Sequence, residues 1–92
     1  MALSAKAQNQ IKIALADEVA AAELIAAINS PATLSNFCKR RVKIAMGDQT
    51  AANEFIAAVQ TGGHQALSAR TKDYVKVAFA NQAVGAEIIA AV

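Results

Sequence analysis

Residues 34–59 read LSNFCKRRVKIAMGDQTAANEFIAAV, and residues 3–28, LSAKAQNQIKIALADEVAAAELIAAI, match that pattern without a gap. Residues 67–92, LSARTKDYVKVAFANQAVGAEIIAAV, give it a third time. Each copy opens on Leu-Ser (Ser4, Ser35, Ser68) and then sets a lysine between two β-branched residues: Ile11-Lys12-Ile13, Val42-Lys43-Ile44 and Val75-Lys76-Val77. Ala14, Ala45 and Ala78 follow, each ahead of a large apolar residue (Leu15, Met46, Phe79), and next comes a capping type at Asp17, Asp48 or Asn81. Each copy closes on Glu23, Glu54 or Glu87, two large apolar residues, Ala-Ala, and Ile or Val. An alanine-rich composition alone does not produce so many identities at fixed offsets. Self-similarity at about 30 residues marks stacked supersecondary units, none able to bury its apolar face by itself.

Within one copy the sequence predicts two helices. Ser4 is an N-cap type, its hydroxyl suited to accept from an orphan backbone N–H, with Leu3 placed to pack back on the first turn. The first helix is expected from about Ala5 to Leu15, with Ala7, Ile11, Ala14 and Leu15 on one face. Asp17 then caps a second helix to about Ile28, with Val19 or Ala20, Leu24 and Ile28 facing inward and Ile25 beside them. The repeat assigns the same capping roles to Ser35, Ser68, Asp48 and Asn81. The β-branched alternation from Val42 to Met46 favours a strand locally, but it lasts about three residues between flanks of helical period. The spacers differ: Asn29–Thr33 holds Pro31, which blocks helix continuation, and Gln60–Ala66 holds Gly62-Gly63. The expectation is a single all-α domain over residues 1–92. It consists of three tandem two-helix hairpins (3–28, 34–59, 67–92), six short helices in all, packed as a compact pseudo-threefold bundle or a short helical stack.

Composition bounds what such a fold can do. Of the 92 residues 55% are hydrophobic, yet many are alanines, which favour helix and close approach but bury little area each. A chain of this size buries about 60–65% of its unfolded surface, so its stability margin is thin. Nine basic and seven acidic residues leave a formal charge of +2, too small to demand a nucleic-acid or membrane partner. The single cysteine, Cys38, rules out an intramolecular disulfide framework. No secretory signal pattern is present, and no apolar run approaches the roughly 18–20 residues of a membrane span. The expected setting is a cytoplasm, with no membrane partner.

The chemistry-bearing residues are sparse. A nucleophilic serine needs a base and an oxyanion site, and the one histidine, His64, lies in a glycine spacer, so Ser4, Ser35 and Ser68 are read as caps. Glu23, Glu54 and Glu87 without histidine make a poor transition-metal site. They are read as a solvated helix face or as partners of Lys12, Lys43 and Lys76 that orient the hairpins. Cys38 is read as a small buried hydrophobe. The Lys39-Arg40-Arg41 run with Lys43 is the one basic cluster and a candidate electrostatic contact. It sits on the first helix of its copy rather than the second, against a helix-turn-helix reading. Ile88, Ile89 and Val92, ending the last copy without a polar cap, are the candidate apolar contact surface. No catalytic residue, cofactor or metal is expected.

The pattern of Leu-Ser, the Lys-centred β-branched pair, the Asp cap and the closing Glu-Ile-Ile-Ala-Ala-Ile resembles a short alanine-rich helical repeat of small structural proteins of tailed bacteriophages. The resemblance covers the three copies and implies a non-enzymatic virion component, capsid-associated or decorating, that assembles in the host cytoplasm. Its implied partners are other virion proteins or further copies of itself, with nucleic acid an unlikely one. The competing expectation is a small nucleic-acid-associated regulator using the basic helix from Lys39 to Lys43.

Overall fold

The computed structural model describes residues 3–62 and 67–92, so Gly63 and His64 of the second spacer lie outside the described residues. Six helices follow one another: α1 (Ala5–Leu15), α2 (Glu18–Asn29), α3 (Asn36–Met46), α4 (Gln49–Thr61), α5 (Ala69–Ala78) and α6 (Gln82–Ala91). There is no strand among the described residues, and Val42 to Met46 is helical. The side chains at Val42 and Ile44 therefore point to different sides of α3 because successive residues in a helix turn by roughly 100°.

Every helix starts on the cap its sequence offers. The hydroxyls of Ser4, Ser35 and Ser68 accept from the amides of Ala7, Cys38 and Thr71, and Asp17, Asp48 and Asn81 accept from Ala20, Ala51 and Val84. Between the two helices of each hairpin one residue turns left-handed: Ala16 (φ 55°), Gly47 (φ 72°) and Ala80 (φ 51°). Only the middle hairpin places a glycine there, although a side chain is penalised in that conformation.

The odd and even helices contribute differently to the core. The first, third and fifth bury one narrow line at four-residue spacing: Leu3, Ala7, Ile11 and Leu15 in the first copy, Leu34, Cys38, Val42 and Met46 in the second, and Leu67, Thr71, Val75 and Phe79 in the third. The second helix of a copy buries a broader face, as Ala20, Ala21, Leu24, Ile25, Ala27 and Ile28 show in α2. Ala20 is the inward residue; Val19, its alternative, is exposed. Large side chains are redistributed between copies, with Leu15 and Leu24 in the first, Met46 and Phe55 in the second, and Phe79 and Ile88 in the third. The Phe55 and Phe79 rings meet across a junction between copies at 6.3 Å, within the usual range for a favourable tilted aromatic pair.

Each hairpin packs on itself (α1 on α2, α3 on α4, α5 on α6) and on the next (α2 on α3, α4 on α5), and α6 returns to α1. The circuit of contacts is closed, and the molecule is nearly isotropic at 28 × 26 × 24 Å. In addition, α3 touches both α1 and α5, while α2 touches both α4 and α6. The two spacers also meet, with the Pro31 ring 3.1 Å from where a side chain on Gly62 would begin.

The repeated glutamates hold these junctions. Glu23 accepts from the backbone N–H of Ser35 at 2.5 Å and from its hydroxyl at 2.9 Å. Glu54 accepts from the N–H of Ser68 at 2.6 Å, and Glu87 accepts from the N–H and hydroxyl of Ser4 at 2.6 and 2.8 Å. In a capping box a glutamate three residues into the helix reaches back to the cap's N–H. Here that position belongs to the core (Ala7, Cys38, Thr71), and a neighbouring copy supplies the carboxylate: the preceding one for Ser35 and Ser68, the last one for Ser4. The lysine partners expected for these glutamates are not the ones found. Among the described residues the ion pairs are Arg41–Asp17 at 3.9 Å and Arg70–Asp48 at 3.0 Å. Both join neighbouring copies at the capping aspartates.

Candidate interaction surface

Sorting the charged residues by helix reveals a segregation that the net charge conceals. All nine Lys and Arg residues lie on the odd helices: Lys6 and Lys12 on α1, Lys39, Arg40, Arg41 and Lys43 on α3, and Arg70, Lys72 and Lys76 on α5. Of the seven acidic residues only Asp73 lies there; the other six are on α2, α4 and α6 or are the aspartates that cap them. The cationic helices adjoin through α3, so the positive side chains belong to connected helices rather than to scattered ones.

The basic run from Lys39 to Lys43 divides in two. Arg41 reaches Asp17 and covers the Phe37 ring at 5.8 Å, a cation–π distance. Lys39, Arg40 and Lys43, with Asn36, instead line one open depression of about 270 Å³. The spacing of these four residues sets them along one side of α3. In α5 the Arg–aromatic pair recurs with its members exchanged: Arg70 covers Tyr74 at 5.1 Å and takes Asp48. The same two places in α1 hold Lys6 and Gln10.

A second surface feature recurs in every copy. Ile13, Ile44 and Val77 are 70, 65 and 74% exposed, and each directly follows the repeated lysine (Lys12, Lys43, Lys76). Each odd helix buries the first β-branched residue of the trio and presents the second to solvent. Val19 is also exposed and, with Lys12, Glu18 and Ala22, borders a depression beside the first of these sites. Reading for core residues missed this set, although its signal was present: an apolar residue two places after a core residue falls on the far side of a helix.

The apolar contact expected at the end of the last copy needs correction. Ile88 is 0% and Val92 3% exposed, and Ile89 packs partly buried against the same core. These three residues close the interior, occupying the places that Leu24, Ile25 and Ile28 fill in the first copy. They offer no outward patch.

Reactive groups are occupied or shielded. The capping serines use their hydroxyls to receive backbone amides, and in Ser4 and Ser35 the same hydroxyl donates to glutamate. Cys38 is fully buried, its thiol donating to the Ala20 carbonyl at 3.4 Å. Burial, with the nearby Glu23 charge adding to it, pushes the thiol up to about 11, which disfavours the nucleophilic thiolate. Asp48 is held below its ordinary value by the Ala51 amide first and the Arg70 guanidinium second; Glu54 is held down by the Ser68 amide and then by the Thr71 hydroxyl. Among the described residues no three His, Cys, Asp or Glu side chains group as metal ligands, and no helix is long and apolar enough to cross a membrane. No family model, curated protein or solved structure matches the chain.

Proposed function

We propose that this chain is a non-enzymatic structural protein, a capsid-associated or decorating component of a tailed-bacteriophage particle, that attaches to other virion proteins through its odd helices. The observation that carries the reading is the recurrence of an exposed β-branched residue beside a lysine on all three odd helices: Ile13, Ile44 and Val77 after Lys12, Lys43 and Lys76. Recurrence at the same position of every copy distinguishes these residues from apolar side chains scattered singly over a surface, and a protein interface gains by burying them. The neighbouring lysines suit a partner face that is apolar at its contact points and acidic around them. The phage setting rests on the resemblance of the repeat itself.

The test is co-purification with particles. Mass spectrometry of purified virions is expected to find this chain, and the variant Ile13→Ser/Ile44→Ser/Val77→Ser is expected to be lost from particles while remaining folded in solution. If the wild-type chain is abundant in the infected cell and missing from particles, the virion reading is wrong. Should the triple variant stay attached, the contact lies elsewhere.

A further inference from the structure

We infer that the α3 face formed by Asn36, Lys39, Arg40 and Lys43 binds a nucleic-acid backbone through its phosphates, without reading base sequence. The repeat supplies an internal control for this face. Where α3 carries Lys39 and Arg40, α1 carries Gln8 and Asn9, and α5 carries Lys72 and Asp73. All three helices start on the same serine cap and carry the same buried line, α5 ending one residue sooner than the other two. The fold therefore has no need of the paired cations at these two positions. In the middle copy they are joined by Lys43 and by an asparagine at a place where both other copies hold alanine, Ala5 and Ala69.

Two features favour a phosphate backbone over an acidic protein face. The depression is lined by Asn36, Lys39, Arg40 and Lys43 and by no apolar residue, whereas the core of a protein interface is depleted in lysine and built on apolar or aromatic anchors. A phosphate backbone needs only cations and hydrogen-bond donors, and ammonium, guanidinium and carboxamide N–H groups are what this face carries. Lys39 and Lys43 stand one turn apart, about 6 Å along the helix axis. Asn36 opens the helix, where the dipole adds positive potential. None of the three cations has a carboxylate partner among the described residues, and α3 itself contains no acidic residue. Sequence readout is not expected, because the depression is lined by cations and a carboxamide, with no aromatic platform among its lining residues to stack a base.

The test uses a labelled 20-base-pair DNA duplex of mixed sequence, with fluorescence anisotropy read against salt. Three phosphate contacts give a log–log salt slope of about −2.7, a loss of roughly 500-fold in affinity for a tenfold rise in salt. The variant Lys39→Gln/Arg40→Asn grafts onto α3 the residues that α1 already carries, so its thermal unfolding should match the wild type. It is expected to flatten the slope to about −1. A duplex of unrelated sequence should bind equally well. Absence of binding at 20 mM salt overturns the inference, as does a slope that the graft leaves unchanged. Poly-glutamate of equal charge binding as tightly as DNA, with the same loss in the graft, would assign the face to acidic polypeptides instead. Because the graft leaves Ile13, Ile44 and Val77 in place, its outcome is independent of attachment to particles.

Discussion

Glu87 on the last helix accepts two hydrogen bonds from Ser4, 83 residues earlier in the chain, and by doing so completes the N-terminal cap of α1. The cap hydroxyl satisfies one orphan amide of the helix, and the carboxylate satisfies the amide of the cap residue itself. Glu23 serves Ser35 in the same manner. The start of each odd helix is thus finished by a neighbouring hairpin, and capping there is coupled to tertiary contact.

Replacing the clamp tests that coupling. Glu87→Ala removes two charge-assisted bonds and should lower the unfolding free energy by about 1–3 kcal/mol. Glu23→Ala should cost a similar amount, because its geometry at Ser35 is the same. Urea unfolding gives both values. A midpoint unmoved by Glu87→Ala means that the clamp contributes nothing to stability.

The hairpin turns offer a prediction of opposite sign. Ala16 and Ala80 sit at positive φ without being glycine, a conformation costing roughly 1–2 kcal/mol for residues with a side chain. Ala16→Gly should therefore stabilise by about 1 kcal/mol and Gly47→Ala destabilise by about as much. Space around Gly47 is open, so the second change measures backbone preference alone. Equal thermal midpoints for Gly47→Ala and wild type would remove the argument.

Gly85 is constrained from outside its own helix. A methyl group there would lie 2.8 Å from the Lys76 backbone and 2.7 Å from its side chain, while the equivalent places hold Ala21 and Ala52. The third hairpin is closed more tightly than the other two can be. Gly85→Ala gains about 1 kcal/mol of helix propensity but forces the helices apart, an overpacking cost of typically 1–3 kcal/mol. Net destabilisation is expected by calorimetry. A stabilised variant would show that α5 and α6 separate freely.

Acid should weaken the fold through Asp48 and Glu54. Both carboxyls are held below their ordinary values in the folded chain, so the unfolded state binds protons more readily. The stabilisation is complete above the unfolded-state values near about 4 and is lost as pH falls through the folded ones. The thermal midpoint should be level from pH 7 to 5 and decline below about 4, with a shallower decline in Asp48→Asn/Glu54→Gln. Identical profiles for the variant and the wild type would place the acid sensitivity elsewhere.

Much of this architecture was legible because it depends on local rules. The helices begin on the serines and aspartates that short-range capping predicts, and they end where Pro31 and Gly62 stop them. What sequence reading missed depends on neighbours. It read each glutamate as part of a solvated face or as a partner of the repeated lysines, because charge was the visible cue; the partners are the backbone amides of the serine caps, which no residue type announces, together with the hydroxyls of Ser4 and Ser35. Ile88 and Val92 looked like a contact surface because they lie in an apolar run without a polar cap, yet both are buried where α6 returns to α1. Ile13, Ile44 and Val77 were hidden by resembling their buried neighbours Ile11, Val42 and Val75. The segregation of the basic residues to the odd helices, and of all but one acidic residue to the even helices and their caps, is invisible to a net value of +2.

Three hairpins cut to one pattern could pair in the wrong order while folding, a hazard of repeated units. The Phe55–Phe79 contact guards against this, together with Arg41 on Asp17 and Arg70 on Asp48. Bulk and charge are dealt unequally, so the junctions between copies differ in the side chains they hold. A gene with its second and third segments transposed would keep every backbone rule and still part the Phe55 and Phe79 rings, which now share one junction. The copies are alike as chain and distinct as jigsaw pieces, and their order is written in the side chains that differ.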